Sequence, residues 1–217
     1  MTESVFTVFL VDDDAGVLKA LARLLQARGY AVQSFTSPQA FLAGHDACVP
    51  GCAVLDISMP DLDGLALQQA LTAKGSQRPV IFLTGRGDIP TSVRAMRAGA
   101  IDFLTKPVND SDLLAAIAHA EKEDAETRCA MADLNSINTR LANLTPREHE
   151  VMTHVIAGRL NKQIAGDLGT VEKTIKVHRG RVMNKLGVRS VADLVRLAEK
   201  AGIFRNGAYL AMRQCWP

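Results

Sequence analysis

Short apolar runs alternate with amphipathic stretches through the first half of the chain. Residues 5–11, 31–35, 53–56, 79–84 and 101–104 read as strands. Val80, Ile81, Phe82 and Leu83 are consecutive and apolar, as a strand buried on both faces requires. Helical patterns lie between the strands. Residues 15–27 carry Val17, Leu18, Leu21, Leu24 and Leu25 on one side, and Gly29 stops them. Ser37 as cap with Pro38 in the first helical position opens a second helix. Residues 65–73, 90–97 and 110–121 complete the set. Five strands alternating with five helices predict an α/β unit, a doubly wound five-stranded parallel sheet. In that architecture polar residues at the C-terminal strand ends gather on one edge, near the topological switch point.

The pattern changes after residue 121. Residues 122–143 are polar and alanine-rich, without Gly or Pro, and read as a helical extension running into a linker. Everything beyond is helix. Thr145 caps a helix with Pro146 in its first position, and Glu148 stands where it can reach back to the cap. Val151, Met152, Val155 and Ile156 form its apolar stripe and Gly158 ends it. Residues 161–168 form the next helix, stopped by Gly169. Thr170 is expected to cap a third, over 171–186, ended by Gly187; the fourth spans 190–201. Two short helices meeting at a tight glycine turn match a helix-turn-helix within an all-α four-helix domain. The expected division is 1–123, a helical linker 124–143, the helical domain 144–205 and a tail 206–217. Nothing in the tail, including Tyr209, Cys215 and Trp216, points to a function.

Composition fits this plan. The 217 residues are 47% hydrophobic and 22% charged, which is a soluble globular balance. No window approaches the ~20 apolar residues of a membrane span, and the first residues lack a signal peptide's basic run, so the expectation is a cytoplasmic protein without a membrane partner. Cys48, Cys52, Cys129 and Cys215 are scattered, with no second pair or nearby histidine to make a metal site. The net charge of +2 hides a split. Through Asp124 there are 10 Lys and Arg against 15 Asp and Glu; the remainder carries 15 against 8. The first part suits cations and the basic second part a polyanion.

Candidate chemistry sits at the strand ends. Asp12, Asp13 and Asp14 follow the first strand, Asp56 ends the third, Thr84 the fourth, and Lys106 closely follows the fifth. Carboxylates from two strand ends can share one Mg²⁺, which takes oxygen ligands and keeps some waters. Lys106 offers a mobile positive charge and Thr84 a hydroxyl to a phosphoryl group. The combination describes an aspartate nucleophile whose transferring phosphoryl is stabilised by Mg²⁺ and lysine. Each residue alone has a plainer reading: Asp14 as a helix cap, Thr84 before Gly85 as a turn residue, Lys106-Pro107 as a loop with a cis or trans peptide.

These residues carry a family resemblance. Residues 5–121 resemble the receiver domain of two-component response regulators, which has a flavodoxin-like fold. Val11-Asp12-Asp13-Asp14 is similar to the family's acidic pocket, and the stretch from Asp56 through Ile57, Ser58, Met59, Pro60, Asp61, Leu62 and Asp63 to Gly64 to its phosphoacceptor loop. Leu83-Thr84-Gly85 resembles the switch hydroxyl segment, and the stretch from Asp102 to Pro107 the lysine segment. The resemblance implies that Asp56 is phosphorylated. It implies Mg²⁺ on Asp13 and Asp56, with Asp12 mostly through water and the Ser58 carbonyl as a further ligand. Thr84 and Lys106 would bind the phosphoryl, with Thr84 and Phe103 as switch residues. Phe103 also reads as a plain core aromatic.

Residues 144–203 resemble the LuxR-type helix-turn-helix output domain. The matching stretches are Leu144-Thr145-Pro146-Arg147-Glu148, Ile164-Ala165, and 171–179 followed by 183–188. The two domains together are most similar to the FixJ-like group. That implies a transcriptional regulator, phosphorylated by a sensor histidine kinase, that forms a homodimer on phosphorylation, binds double-stranded promoter DNA, contacts RNA polymerase and activates. The residues agree. The third helix carries Lys173, Thr174, Lys176 and Val177 near its start, where Lys can reach guanine edges and Val a thymine methyl. Lys162, Arg179, Arg181 and Lys185 add charge for phosphates; each alone equally reads as a solvated surface charge. Ile175, Val182 and Leu186 form the inner side, and His178 reads as packed among them. In the fourth helix Val191, Leu194, Val195 and Ala198 form a stripe, part of which the resemblance assigns to a second subunit. Gly180 departs from relatives with a long basic residue there. It costs roughly 0.5–1 kcal/mol against alanine, and either admits a close backbone approach or leaves a base unread.

Two other classes share these features: an enzyme on the same fold, and an interaction module whose Asp56 is never phosphorylated. The chain has no Gly-rich phosphate loop, no G-x-S-x-G elbow and no H-E-x-x-H, so it is read as not an enzyme. Asp13, Asp56 and Lys106 together argue against the idle module.

Overall fold

The computed structural model describes residues 5–60, 62–85 and 89–203. Asp61, residues 204–205 and the tail expected at 206–217 lie outside the described residues. The chain divides into two compact units at Cys129/Ala130.

The first unit runs β1 (Thr7–Val11), α1 (Ala15–Ala27), β2 (Ala31–Phe35), α2 (Pro38–Gly44), β3 (Gly51–Asp56), α3 (Gly64–Ala73), β4 (Val80–Thr84), α4 (Ile89–Arg97) and β5 (Asp102–Thr105), then enters α5 (Asp110–Ala142). The five strands are parallel in the order β2-β1-β3-β4-β5, so the order reverses between β1 and β3. Successive strand side chains point to opposite faces, and the core follows that period of two. Val8, Leu10, Val54, Ile81 and Leu83 pack with Leu18, Leu25, Leu113 and Ile117 on one face. Phe9, Val11, Leu55 and Phe82 pack with Phe41, Leu67 and Leu71 on the other. Each such side chain, fully buried, contributes about 1.5–3 kcal/mol relative to exposure.

Helix starts follow their caps. Asp14 accepts from the amides of Gly16 (2.7 Å) and Val17 (3.2 Å), so the last of the three aspartates is the α1 cap. Ser37 accepts from Ala40 (3.1 Å) to open α2, and Asp63 from Ala66 (2.7 Å) to open α3.

The second unit comprises the end of α5, α6 (Pro146–Ile156), α7 (Asn161–Asp167), α8 (Glu172–Leu186) and α9 (Val191–Lys200). Ile137, Val151, Met152, Val155, Ile164, Ile175, Val182, Leu186, Leu194 and Leu197 form its core. The capping box at α6 is present: the Thr145 amide donates to Glu148 Oε2 (2.9 Å) and the Glu148 amide to Thr145 Oγ1 (3.3 Å). Gly187, at φ 66°, takes the left-handed position that closes α8.

Two expectations are corrected. Thr170 does not cap α8. Its amide donates to the Ala165 carbonyl (2.9 Å) and that of Gly169 to the Gly166 carbonyl (3.3 Å), so it completes the Schellman turn that ends α7. The α8 N-cap is Val171, extended at φ −101°, ψ 150°, with no side-chain cap bond.

The segment read as a linker, 124–143, is divided between the units. Asp124 is buried and accepts from the Gly51 amide (3.1 Å) and Arg128 Nε (2.8 Å). Arg128 in turn donates to the carbonyls of Cys48 (2.9 Å) and Val49 (2.8 Å). A buried carboxylate needs such partners, and they hold this stretch to the sheet unit. Further on, Ile137 enters the helical core and Arg140 donates to the Leu186 carbonyl at the end of α8 (2.7 Å). Among the described residues no helix is long and apolar enough to cross a membrane.

Candidate functional site

Strand register assembles the sheet-edge site. Val11 pairs with Leu55, which sets Asp12 beside Asp56; Asp56 pairs with Leu83, and Thr84 with Thr105. The Lys106 amide donates to the Thr84 carbonyl (2.7 Å), which continues the β4–β5 pairing to the lysine, and the Lys106–Pro107 peptide is cis. Lys106 Nζ reaches Asp12 Oδ2 at 2.6 Å and Asp56 Oδ1 at 2.8 Å. Both carboxylates are nearly enclosed, at 2% and 4% exposure.

The rest of each carboxylate is oriented by main chain. Asp12 Oδ1 accepts from the Asp14 amide (2.8 Å), and Asp56 Oδ2 from the Ser58 amide (3.1 Å). Burial by itself presses the Lys106 ammonium towards its neutral form. Hydrogen bonds and charge from Asp12 and Asp56 outweigh that, so its pKa rises above the ordinary lysine value. Thr84 is buried at the end of β4, and Phe103 is half-buried on β5 against the second core cluster.

Asp13 is exposed, and its carboxylate lies with those of Asp12 and Asp56 such that one oxygen of each falls within 4.8 Å of the others. Among the described residues three carboxylates meet one ammonium, which leaves excess negative charge at a partly enclosed edge. All the donors are hard oxygens. That set fits Mg²⁺, which is held by one or two carboxylates and retains waters. Asp12, Asp13 and Asp56 are the carboxylates that would hold it.

Gly64 was not singled out in the sequence beyond closing the acidic loop. A Cβ there would lie 2.5 Å from the Asp56 carbonyl oxygen and 3.1 Å from the Phe82 ring. The start of α3 therefore touches the backbone of Asp56, and only glycine allows it. The available signal was a glycine directly after the capping Asp63, where a helix former is ordinarily preferred.

The basic residues of the second unit behave differently. Ile175, Val182 and Leu186 turn inward on α8, while Lys173, Lys176 and Val177 are exposed and Thr174 is half-buried. Lys176 is loosely paired with Glu172 at 4.0 Å. Arg181 and Lys162 are exposed, and Arg179 is half-buried with Nη1 on Asn161 Oδ1 (3.2 Å). His178 is half-buried, as a packed histidine should be, and its Nδ1 is enclosed without a hydrogen-bond partner. A Cβ on Gly180 would meet nothing within 4 Å, so packing inside the protein does not require glycine there.

Lys185 has another engagement. Its Nζ reaches Glu148 Oε2 at 2.6 Å and the Asn143 carbonyl at 3.0 Å. Glu148 is 3% exposed. The lysine read as a phosphate contact thus answers the buried carboxylate of the α6 capping box. Its hydrogen bond, with that of the Thr145 amide, holds the Glu148 carboxyl down at about 2.

Known proteins match over the same two units. The response regulator receiver domain matches residues 8–118, and the bacterial regulatory proteins of the luxR family match residues 142–198. The response regulator protein TmoT of Ectopseudomonas mendocina is 43% identical over 202 residues, covering 92% of this chain and 91% of TmoT. The transcriptional regulatory protein FixJ of Bradyrhizobium diazoefficiens is 40% identical over 199 residues, 92% of this chain and 97% of FixJ. Among solved structures, the response regulator StyR superposes with a TM-score of 0.81 at 45% identity, covering 90% of this chain and 99% of StyR. With the strand-edge carboxylates, the lysine between them and the helix-turn-helix in place, the chain belongs to the FixJ/LuxR-type two-component response regulators, a receiver followed by a helix-turn-helix output domain.

Proposed function

We propose that this chain is a transcriptional activator switched by a phosphoryl group on Asp56. The observation that carries the reading is the uneven charge at the sheet edge among the described residues: the carboxylates of Asp12, Asp13 and Asp56 lie together, and Lys106 pairs with two of them. In this reading the phosphoryl donor is a phosphohistidine of a sensor kinase. An Asp56 oxygen forms the new P–O bond as the donor P–N bond breaks, and the imidazole nitrogen leaves with the bonding electrons and takes up a proton. Asp56 is held for attack by the Ser58 amide and by Lys106. Mg²⁺, when bound, supplies further positive charge to the transferring group. The chain accepts the group and is not itself a turnover enzyme.

The product carries roughly −1.5 to −2 charge at pH 7 and new acceptor oxygens. Lys106 exchanges an Asp12 oxygen for a phosphoryl oxygen, and the Thr84 hydroxyl turns towards the same group. Phe103 and β5 adjoin α4, and Thr84 pairs with Thr105 on β5, so the change reaches that face. On α4, Ile89 (78% exposed), Val93 (41%) and Met96 (48%) follow one another at helical spacing. An apolar stripe of that kind supports a phosphorylation-linked homodimer. Two copies place two α8 helices on DNA about one turn apart, reading an inverted repeat. Lys173, Thr174, Lys176 and Val177 face the bases, Lys162 and Arg179 the phosphates, and RNA polymerase is recruited by the bound dimer.

The test is sequencing of genomic fragments captured by the full chain, with and without acetyl phosphate and Mg²⁺. The reading requires a defined set of promoter fragments, enriched by the phosphoryl donor and lost in Asp56→Asn. The same fragments captured equally by the two proteins in both conditions would contradict it.

A further inference from the structure

Between residues 144 and 203 three large apolar side chains are markedly exposed among the described residues: Leu160 at 69%, Val171 at 64% and Val177 at 48%. All three lie on the helix-turn-helix. Leu160 is the N-cap of α7, Val171 the N-cap of α8, and Val177 stands on the outer face of α8.

The caps set these two helices apart. Asp14, Ser37, Asp63, Thr145 and Ser190 each accept from a first-turn amide of α1, α2, α3, α6 and α9. Val171 has the extended conformation of an N-cap but no side-chain oxygen to accept a first-turn amide. The position gives up a cap bond and holds a branched apolar group in water. Nothing in the core is gained, since Val171 is not among the residues packed in the helical core. A residue that breaks two local rules without a compensating contact inside the protein marks a functional position.

Its place says what would cover it. Val171 lies two residues before Lys173, and Lys173, Lys176, Val177 and Gly180 follow at helical spacing along the exposed side of α8. It is the leading tip of that side. In a helix-turn-helix the N-terminal residues of the second helix meet base edges. Thymine presents the one methyl group in the major groove, and an apolar side chain is its partner.

We propose that Val171 is a specificity determinant that reads the C5-methyl of a thymine at the edge of the half-site. The inference rests on the reading of α8 as the DNA-recognition helix. Val171 contributes discrimination at one base pair, and the site forgoes a serine-type cap to make that contact.

The experiment selects from a randomised duplex pool with the full chain in acetyl phosphate and Mg²⁺, for wild type, Val171→Ser and Val171→Ile. Selected duplexes are then remade with deoxyuridine in place of each thymine, one at a time, which removes only the methyl. Wild type should lose affinity at one half-site position by about fourfold, the scale of one buried apolar carbon. Val171→Ser should show no loss from deoxyuridine at that position, with the rest of its selected sequence unchanged and its melting temperature equal or higher through the restored cap. Val171→Ile should keep the methyl dependence. A purely structural role of Val171 would shift all affinities together and leave the deoxyuridine ratio untouched. Equal methyl dependence in wild type and Val171→Ser would overturn the inference while leaving α8 as the reading helix. Failure of wild type to enrich any sequence would instead remove the DNA reading itself. If Val171→Ser failed to fold, Val171→Thr, which keeps one methyl and adds the hydroxyl, would take its place with an intermediate ratio expected.

Discussion

Each unit of the chain holds a lysine ammonium 2.6 Å from a carboxylate that is almost entirely enclosed: Lys106 with Asp12 in the sheet unit, Lys185 with Glu148 in the helical one. By distance and burial the two are alike. They differ in what surrounds them. Glu148 Oε2 accepts from both Lys185 and the Thr145 amide, and one charge meets one charge. At the sheet edge the Lys106 ammonium also serves Asp56, and Asp13 stands beside both; among the described residues no second cation pairs with the three carboxylates. A balanced buried pair holds a fold in place, while an unbalanced one is able to take up a cation or a phosphoryl group. Imbalance, not proximity, separates the working site from the structural one.

Removing a carboxylate is the strongest way to break that contrast. Asp13→Ala should lower Mg²⁺ affinity by at least about tenfold, the scale associated with even outer-shell partners, and phosphorylation should fall with it. Metal titration followed by phosphoryl uptake checks both, and an unchanged affinity would remove Asp13 from the metal set.

Deleting the lysines gives the next effect. Lys106→Ala leaves three crowded carboxylates that Mg²⁺ is able to answer, so thermal stability lost in chelator should return on adding the metal. Lys185→Ala strands one enclosed carboxylate outside any carboxylate cluster found among the described residues, and Mg²⁺ should not restore its melting temperature. Equal rescue of both would erase the distinction.

Acid sharpens the same point. Glu148 titrates near 2 in the folded unit against an ordinary 4.5. Its contribution is complete above the unfolded value and is lost as pH falls from about 4.5 towards 2. Wild type should therefore lose stability in the helical unit across that window relative to Glu148→Gln. Parallel melting curves from pH 5 to about 2.5 would refute the assigned pairing.

The smallest effects belong to the exposed lysines. Lys176→Ala should lose about 1–3 kcal/mol of discrimination at one base position. Lys162→Ala should weaken all duplexes alike and reduce the salt slope by about 1. Salt-dependent titrations on selected and scrambled duplexes separate them. Lys185, tied to Glu148, should leave the slope unchanged wherever the unit remains folded.

What the sequence revealed follows the range of the interactions. Asp14, Ser37 and Thr145 act within three residues, and their roles as caps could be read from adjacent positions; Ser190, read as the first residue of its helix, is the cap before it. The receiver constellation was legible because a parallel sheet delivers every strand's C-terminal end to one edge, whatever the intervening chain does. The Asp124 contact to Gly51 spans 73 residues, and no local pattern marks it, so the sheet unit was drawn too short. Thr170 carries a capping side chain but is claimed by the turn before it. Lys185 looked like its basic neighbours on α8, since its partner lies 37 positions away. Gly64 was visible as a glycine, yet its contact with Asp56 exists only once α3 is folded against β3.

The central claim is that the unbalanced edge makes Asp56 the phosphoacceptor. The most direct measurement is mass spectrometry of the full chain after incubation with acetyl phosphate and Mg²⁺, with the modified peptide located by reductive trapping of the acyl phosphate. One phosphoryl group per chain on Asp56, absent in Asp56→Asn and in chelator, is the predicted result. Uptake that persists in Asp56→Asn at the wild-type level, or none in the wild type under the same conditions, would contradict the account.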